Sequence, residues 1–279
     1  VVWSDGGSIR SRYGFHRAER SLSDEGTMPK VDSGRAAWLD YEHSSETDVF
    51  GNLAPHVHVM TLSTGVETCL TPVSPGGIEG CDISGSTVVY AVPGVVASPG
   101  ISKVWGISAA GGTPFEIYSA GDTRLLLNPR IDGDDVVFTE DSPSTGFHLV
   151  RTSTSGGVPV VLGSTYKPWS ADVHGGAVAF VRADDQGDEA VVYVPFDGAE
   201  SVLEPNYVTS PMLTMGSMSD EYVAYCPNSS EIVLWSRSMR WLKRMNIANS
   251  GSVAVSGDLI TWSDEQSIYA QRVSAILLR

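Results

Sequence analysis

One phrase recurs along the whole chain and limits the fold more than any other feature. An apolar residue is followed by a polar or glycine turn, two or three β-forming residues, an aromatic and often an acid. It reads VDSGRAAWLD up to Asp40, ISGSTVVYA up to Ala91, IDGDDVVFTED up to Asp141, VHGGAVAFVRAD up to Asp184, SMSDEYVAYC up to Cys226 and VSGDLITWSDE up to Glu265. The chain opens on VVWSD, the tail of the same phrase without its lead-in. The aromatic anchors Trp3, Trp38, Tyr90, Phe138, Phe180, Tyr225 and Trp262 are spaced by 35, 52, 48, 42, 45 and 37 residues. Self-similarity at such a period marks a repeat architecture.

After each anchor a polar loop leads to a second alternating segment: HVHVMTLSTG, KVWGISAAGG, FHLVRTSTSGG, AVVYVPFDG, IVLWSRS and SIYAQRV. Four of these pass through a glycine-containing turn to a short further segment, as in VETCL, TPFEIY, VPVVL and AESVL. Alternation with period two, and no sustained helical period, predicts strands throughout. The unit is four antiparallel strands, each sheet leaving two bare faces that only neighbouring sheets can cover. That is the pattern of a β-propeller blade. The expected fold is therefore all-β, a single propeller domain over 1–279. Seven anchors give seven blades, at approximately 1–27, 28–75, 76–126, 127–167, 168–210, 211–249 and 250–279. Six is the alternative, if the truncated first unit is not a blade of its own.

The second strand, G-x-x-[VI]-x-[FWY], and the third, for which VHVMTLSTG (57–65) is the best match, resemble the TolB-like and WD40-like propeller repeats. The resemblance covers nearly the whole chain. It implies architecture and leaves function open. It also frames the end of the chain. AILLR is expected either as the outer strand of the last blade or as the missing inner strand of the first, sealing the ring. The absence of an initiator Met suits a processed product or a fragment.

Composition excludes some classes. Apolar residues make up 42% and charged residues 18%, which argues against disorder. No apolar run approaches the roughly 20 residues that span a bilayer. The net charge of −15 argues against nucleic acid as a partner, since phosphate binding needs cations. The charge is uneven. Residues 1–27 and 211–279 together carry ten basic and ten acidic residues, while the other 183 residues carry 8 basic and 23 acidic. In a closed ring the neutral stretches adjoin. Arg237, Arg240, Lys243 and Arg244, with Trp241, then form a candidate partner surface, since Arg and aromatics favour interfaces. The plain alternative is that these Arg side chains cover strand edges. Trp169, in YKPWSAD, is a candidate platform at the channel mouth. Trp105 and Trp235 also lie outside the anchor series, either as platforms or as fillers between blades.

No catalytic signature is present: no G-x-S-x-G, H-E-x-x-H or P-loop occurs. A catalytic assignment is therefore none. Were the chain a carbohydrate-active enzyme, Asp40, His148, His174 and Arg182 would be the residues to line a central funnel, with His43, Tyr41 and Arg130 behind them. Asp40, Asp141, Asp184 and Asp264 follow anchors, where a pair of carboxylates can do acid/base work on a glycoside. Acids at such positions also simply end strands. His56 and His58 alternate on one strand and share a face, two candidate metal ligands without a third nearby in sequence, and exposed histidines on an outer strand are the plain alternative. Asp184, Asp185, Asp188 and Glu189, in ADDQGDEA, resemble a loose calcium loop. Calcium is the one cofactor the chain suggests, and an acidic solvated turn is the plain alternative. Cys69 and Cys81 flank one loop and are a candidate disulfide in an oxidising compartment. Cys226 is expected reduced in the interior.

These features point first to a non-catalytic binding or assembly propeller at an extracellular, periplasmic or cell-surface location. It would recognise a protein or glycan through rim loops such as 41–55 and 91–102 and through the Arg-rich sector. The alternatives are a hydrolase or lyase acting on carbohydrate, and a structural subunit that contacts its neighbours in an extracellular or virus-like assembly.

Overall fold

In a computed structural model of the chain, the repeated phrase folds as seven antiparallel sheets, the blades of a β-propeller. The structure describes residues 2–5, 8–12, 19–41, 54–71, 77–94, 101–121, 123–164, 170–183, 189–204, 214–228, 230–247, 252–263 and 267–277. Two compact units divide the chain, Val1–Val161 and Leu162–Arg279.

In the first unit, the first sheet is β1 (Val2–Asp5), β2 (Ser8–Ser11) and β3 (Arg20–Ser23). The second is β4 (Gly26–Asp32), β5 (Arg35–Asp40), β6 (His56–Thr61) and β7 (Val66–Cys69). The third is β8 (Cys81–Ser84), β9 (Thr87–Val92), β10 (Lys103–Ser108) and β11 (Phe115–Ser119). The fourth is β12 (Leu125–Asp132), β13 (Asp135–Ser142), β14 (Gly146–Ser153) and β15 (Val160–Ser164), the unit boundary falling within β15.

In the second unit, the fifth sheet is β16 (Ala171–Val173), β17 (Ala177–Ala183), β18 (Glu189–Pro195) and β19 (Ser201–Glu204). The sixth is β20 (Thr214–Met218), β21 (Tyr222–Asn228), β22 (Glu231–Ser236) and β23 (Leu242–Asn246). The last is β24 (Ser252–Ser256), β25 (Leu259–Ser263) and β26 (Ile268–Arg272), followed by α1 (Val273–Leu277). Strands run in chain order across each sheet.

The anchors occupy corresponding places, on β1, β5, β9, β13, β17, β21 and β25. Trp38, Phe138, Phe180 and Tyr225 are wholly buried and Tyr90 nearly so. They fill the gaps between sheets, because a blade buries both faces only against its neighbours. Phe138 packs with Val89, Val104 and Ile117 of the preceding sheet. Tyr225 packs with Val181, Val191 and Tyr193 of the fifth. Within each unit a second device ties sheet to sheet. An acid or hydroxyl near the end of a first strand accepts a backbone N–H from the next sheet. Asp32 accepts from Gly85 at 2.5 Å, Asp82 from Ile131 at 3.0 Å, Ser84 from Gly133 at 3.0 Å, Asp172 from Met218 at 2.7 Å and Ser217 from Val255 at 2.6 Å.

Two expectations are corrected. The stretch AILLR is no strand in the described residues. Residues Val273–Leu277 form a short helix whose Val273 and Ile276 pack onto the last sheet and on Cys226, Ile232 and Leu234. Asp258 holds this helix in place, accepting from the Ser274 N–H and hydroxyl at 2.8 Å each. Cys69 and Cys81 form no disulfide; both are free thiols. Cys69 lies on β7, the last strand of its sheet, and Cys81 on β8, the first strand of the next. They sit at opposite sides of adjoining sheets, where three strand spacings amount to about 14 Å, beyond the roughly 7 Å a disulfide allows. Cys226 is buried and free.

Candidate functional site

The second sheet presents one face unlike any other described here. β5 pairs with β6 so that Trp38 lies opposite His58 and Asp40 opposite His56. β6 pairs with β7 so that His58 lies opposite Cys69 and Met60 opposite Glu67. With period two, Ala36, Trp38 and Asp40 share a face with His56, His58 and Met60, and with Glu67 and Cys69. The apolar part of this face, Ala36, Trp38 and Met60, packs against Ile9 and Leu22 of the first sheet. The polar part therefore sits beside a wholly buried Trp at the edge of an inter-blade core.

Its groups hold one another. The Trp38 indole donates to Asp40 Oδ2 at 2.9 Å, satisfying a buried N–H and a carboxylate that is only 2% exposed. Burying either group alone would cost several kcal/mol, on the order of 2–7 for the polar group. His58, also buried, has Nδ1 2.6 Å from Glu67 Oε1, and its ring lies 5.9 Å from that of Trp38. Donor atoms of Asp40, His58 and Glu67 all lie within 4.8 Å of one another. Glu67 is on the exposed side. His56 turns its Nδ1 to the Thr71 carbonyl at 2.9 Å, and the Cys69 thiol points to the same oxygen at 3.6 Å. Burial pushes the Cys69 thiol pKa up, the contact with the Thr71 backbone opposes this, and the charges of Asp40 and Glu67 add to the rise.

Asp40 and His58 were visible in the sequence as separate candidates. Glu67 was missed. It lies one register step from His58 across β6 and β7, a diagonal pair within reach of a long side chain. The alternation in VETC, which places Glu67 and Cys69 on one face, was the available signal.

The remaining candidates stand apart from this cluster, each held within its own unit. His148 on β14 bonds Thr145 Oγ1 at 2.8 Å through Nε2. His174, after β16, lies 3.0 Å from Asp220, and Arg182 on β17 pairs with Glu200. Arg130 is buried in β12, and Tyr41 packs against the core between the second and third sheets. Glu189 begins β18 and is 9% exposed. Asp184, Asp185, Asp188, Trp169, His43 and Asp264 lie outside the described residues.

The Arg-rich stretch makes contacts within its own unit. Arg237 donates to the Tyr193 hydroxyl at 3.2 Å, the Ser219 carbonyl at 2.7 Å and the Gly175 carbonyl at 3.1 Å. Arg240 lies 5.1 Å over the Trp235 ring and 5.7 Å over Tyr193, and donates to Ser201. These two cations cap the aromatic pair Tyr193–Trp235, whose centroids are 5.0 Å apart, between the fifth and sixth sheets. Trp241 is half-buried beside Tyr222, 6.2 Å between rings, and Arg244 pairs with Glu231 at 2.9 Å. Lys243 is half-buried on β23. Trp105 is half-buried against the core and Trp235 is buried, so both fill gaps between blades.

No protein-family model and no curated protein matches this chain. Solved structures do match. TolB from Acinetobacter baumannii is 15% identical, with a TM-score of 0.57, covering 87% of this chain and 60% of that one. A chain of the Nidogen/Laminin complex is 11% identical, TM-score 0.51, covering 87% of each. A chain from a study of two prolyl endopeptidases is 12% identical, TM-score 0.62, covering 96% of this chain and 45% of that one. The chain thus spans 60% of the TolB chain and 45% of the peptidase chain, less than two thirds of either. At these identities the likeness is one of fold, and that fold is the seven-bladed β-propeller.

Proposed function

We propose that the chain is a non-catalytic binding propeller that takes a protein partner along the outer edges of its sheets. One observation carries this reading. The last strands of the second to fifth sheets each hold a large apolar side chain in solvent: Val66 at 62% exposure, Phe115 at 41%, Val160 and Val161 at 52% and 61%, and Val202 at 48%. Val158, just before β15, is 89% exposed. An outermost strand offers unpaired N–H and C=O groups, and an aliphatic row beside them suits an added strand from another chain. A glycan would call for open aromatic faces. Among the described aromatics outside the anchor series, Phe115 and Tyr269 are exposed, on separate sheets and with Tyr269 stacked on Trp262 at 5.4 Å, and the others are buried or half-buried. The match to a chain of the Nidogen/Laminin complex supports a protein partner by analogy of fold. A carbohydrate hydrolase or lyase has no comparable support, since Asp40, His148, His174 and Arg182 each hold partners within their own unit. No described helix is long and apolar enough to cross a membrane. The same proposal puts the encounter outside the cytoplasm.

A photo-crosslinking residue at position 160 or 202, used in the source cells, tests this. One discrete protein adduct, lost on Val161→Lys, is the expected result. No adduct at either position, together with turnover on a panel of polysaccharides, would replace the binding reading with the enzymatic one.

A further inference from the structure

We propose that Asp40, His58 and Glu67 form a binding site for a divalent first-row transition ion, independent of the edge-binding role. The three side chains come from successive strands β5, β6 and β7 of one sheet, so hydrogen-bonded backbone fixes their separation before any ion arrives. Their donor atoms already lie within 4.8 Å of one another. A tetrahedral Zn2+ with bonds near 2.0–2.1 Å holds its ligand atoms roughly 3.3 Å apart. The adjustment needed is a side-chain rotation rather than a strand movement.

Three features favour an ion over a plain ion pair. First, the donor set is one imidazole and two carboxylates, a mixture that suits Zn2+ and its neighbours better than Ca2+ or Mg2+. Second, two carboxylates converge on one imidazole, and Asp40 and His58 are 2% and 6% exposed. A divalent cation neutralises such a group where water does so poorly. Third, the outer partners of a metal site are present. The Trp38 N–H to Asp40 Oδ2 bond at 2.9 Å sets the plane of that carboxylate, as supporting bonds do around metal ligands. Glu67 stands on the exposed side, which leaves the fourth position to solvent. Cys69 and His56 flank the site with their donor atoms turned to the Thr71 carbonyl, and neither is assigned as a ligand.

The test is a Zn2+ titration of the purified full chain against a chromophoric chelator, repeated with Co2+ as a spectroscopic reporter. Wild type is expected to bind one equivalent and to give the visible absorption of low-coordinate Co2+. Glu67→Gln lies on the exposed side and preserves shape, so folding should persist. It should weaken Zn2+ by roughly tenfold or more, a scale at which even outer partners of metal sites act. His58→Gln should abolish the cobalt spectrum. Glu116→Gln, at the ion pair with Lys103 on the third sheet, is the control and should change nothing. Absence of one-equivalent binding in wild type, or affinity and spectrum unchanged in both Glu67→Gln and His58→Gln, would overturn the proposal.

Discussion

Cys81 shows how far a single side chain can be bent from its ordinary chemistry. It is wholly buried at the start of β8, and burial moves its thiol from 9.0 to about 12, with the Asp82 charge adding to the rise and Arg130 and Lys30 opposing it. A raised folded-state value stabilises the fold fully below the unfolded thiol's range and less as pH climbs. The unfolded chain ionises near pH 9, the native chain only near 12. Stability should therefore fall across that alkaline window. Urea unfolding of wild type and Cys81→Ala at several pH values between 8 and 11 measures it: the difference between them should shrink as pH rises, and a constant difference would contradict the assignment. At this scale the sequence was readable where chemistry is local. Cys226 reads as an interior thiol because it ends an apolar run. The pairing of Cys69 with Cys81 misread because nearness in sequence says nothing about which edge of a sheet each residue occupies. The contacts of Arg237 and Arg240 with the Tyr193–Trp235 pair were not readable for a related reason, since an interface and an inter-blade aromatic pair attract guanidinium groups equally well.

The sheets themselves were legible almost throughout. Each anchor is flanked by β-forming residues and followed by a second alternating run, and that pattern can only be satisfied by hairpins stacked face to face. What escaped was the last stretch. VSAILLR has no turn before it and too few alternating positions to declare itself, and its apolar residues fit a helical stripe as readily as a strand. The links between sheets were also invisible, because they join residues 38–53 positions apart. Asp82 is the richest of these. It accepts from Ile83 N at 2.9 Å and from Ile131 N at 3.0 Å, so one carboxylate serves its own strand and the neighbouring sheet. Asp82→Ala should cost about 1.5–3 kcal/mol, the range for hydrogen bonds to a charged group. Asp82→Asn should recover part of it. Equal stability of wild type and Asp82→Ala in chemical denaturation would show that the bond to Ile131 carries no weight.

For the molecule as a whole, charge is the dominant unbalanced quantity. The net −15 resides in residues 28–210, which hold 23 acids against 8 basic residues. Described ion pairs such as Lys103–Glu116 and Arg151–Asp135 are partly exposed and offset little of it. Self-repulsion of this kind weakens the compact state and is screened by salt. Raising NaCl from 10 mM to 0.3 M should lift the melting temperature by roughly 2–4 °C, on the order of 1 kcal/mol for a chain this long. A melting temperature that falls with salt would mean the ion pairs outweigh the repulsion. The number of blades was readable at this scale because seven anchors mark seven sheets. The site on the second sheet was only half readable, because Glu67 reaches His58 through strand register rather than through spacing along the chain. The links that tie sheet to sheet carry one more consequence. Each asks for an acid or a hydroxyl on one side and only a main-chain N–H on the other, a group that every residue except proline supplies. The receiving positions at 85, 131, 133, 218 and 255 are thus indifferent to side-chain identity as far as the link is concerned. A fold joined in this way can let its sequence drift far while its geometry stays put.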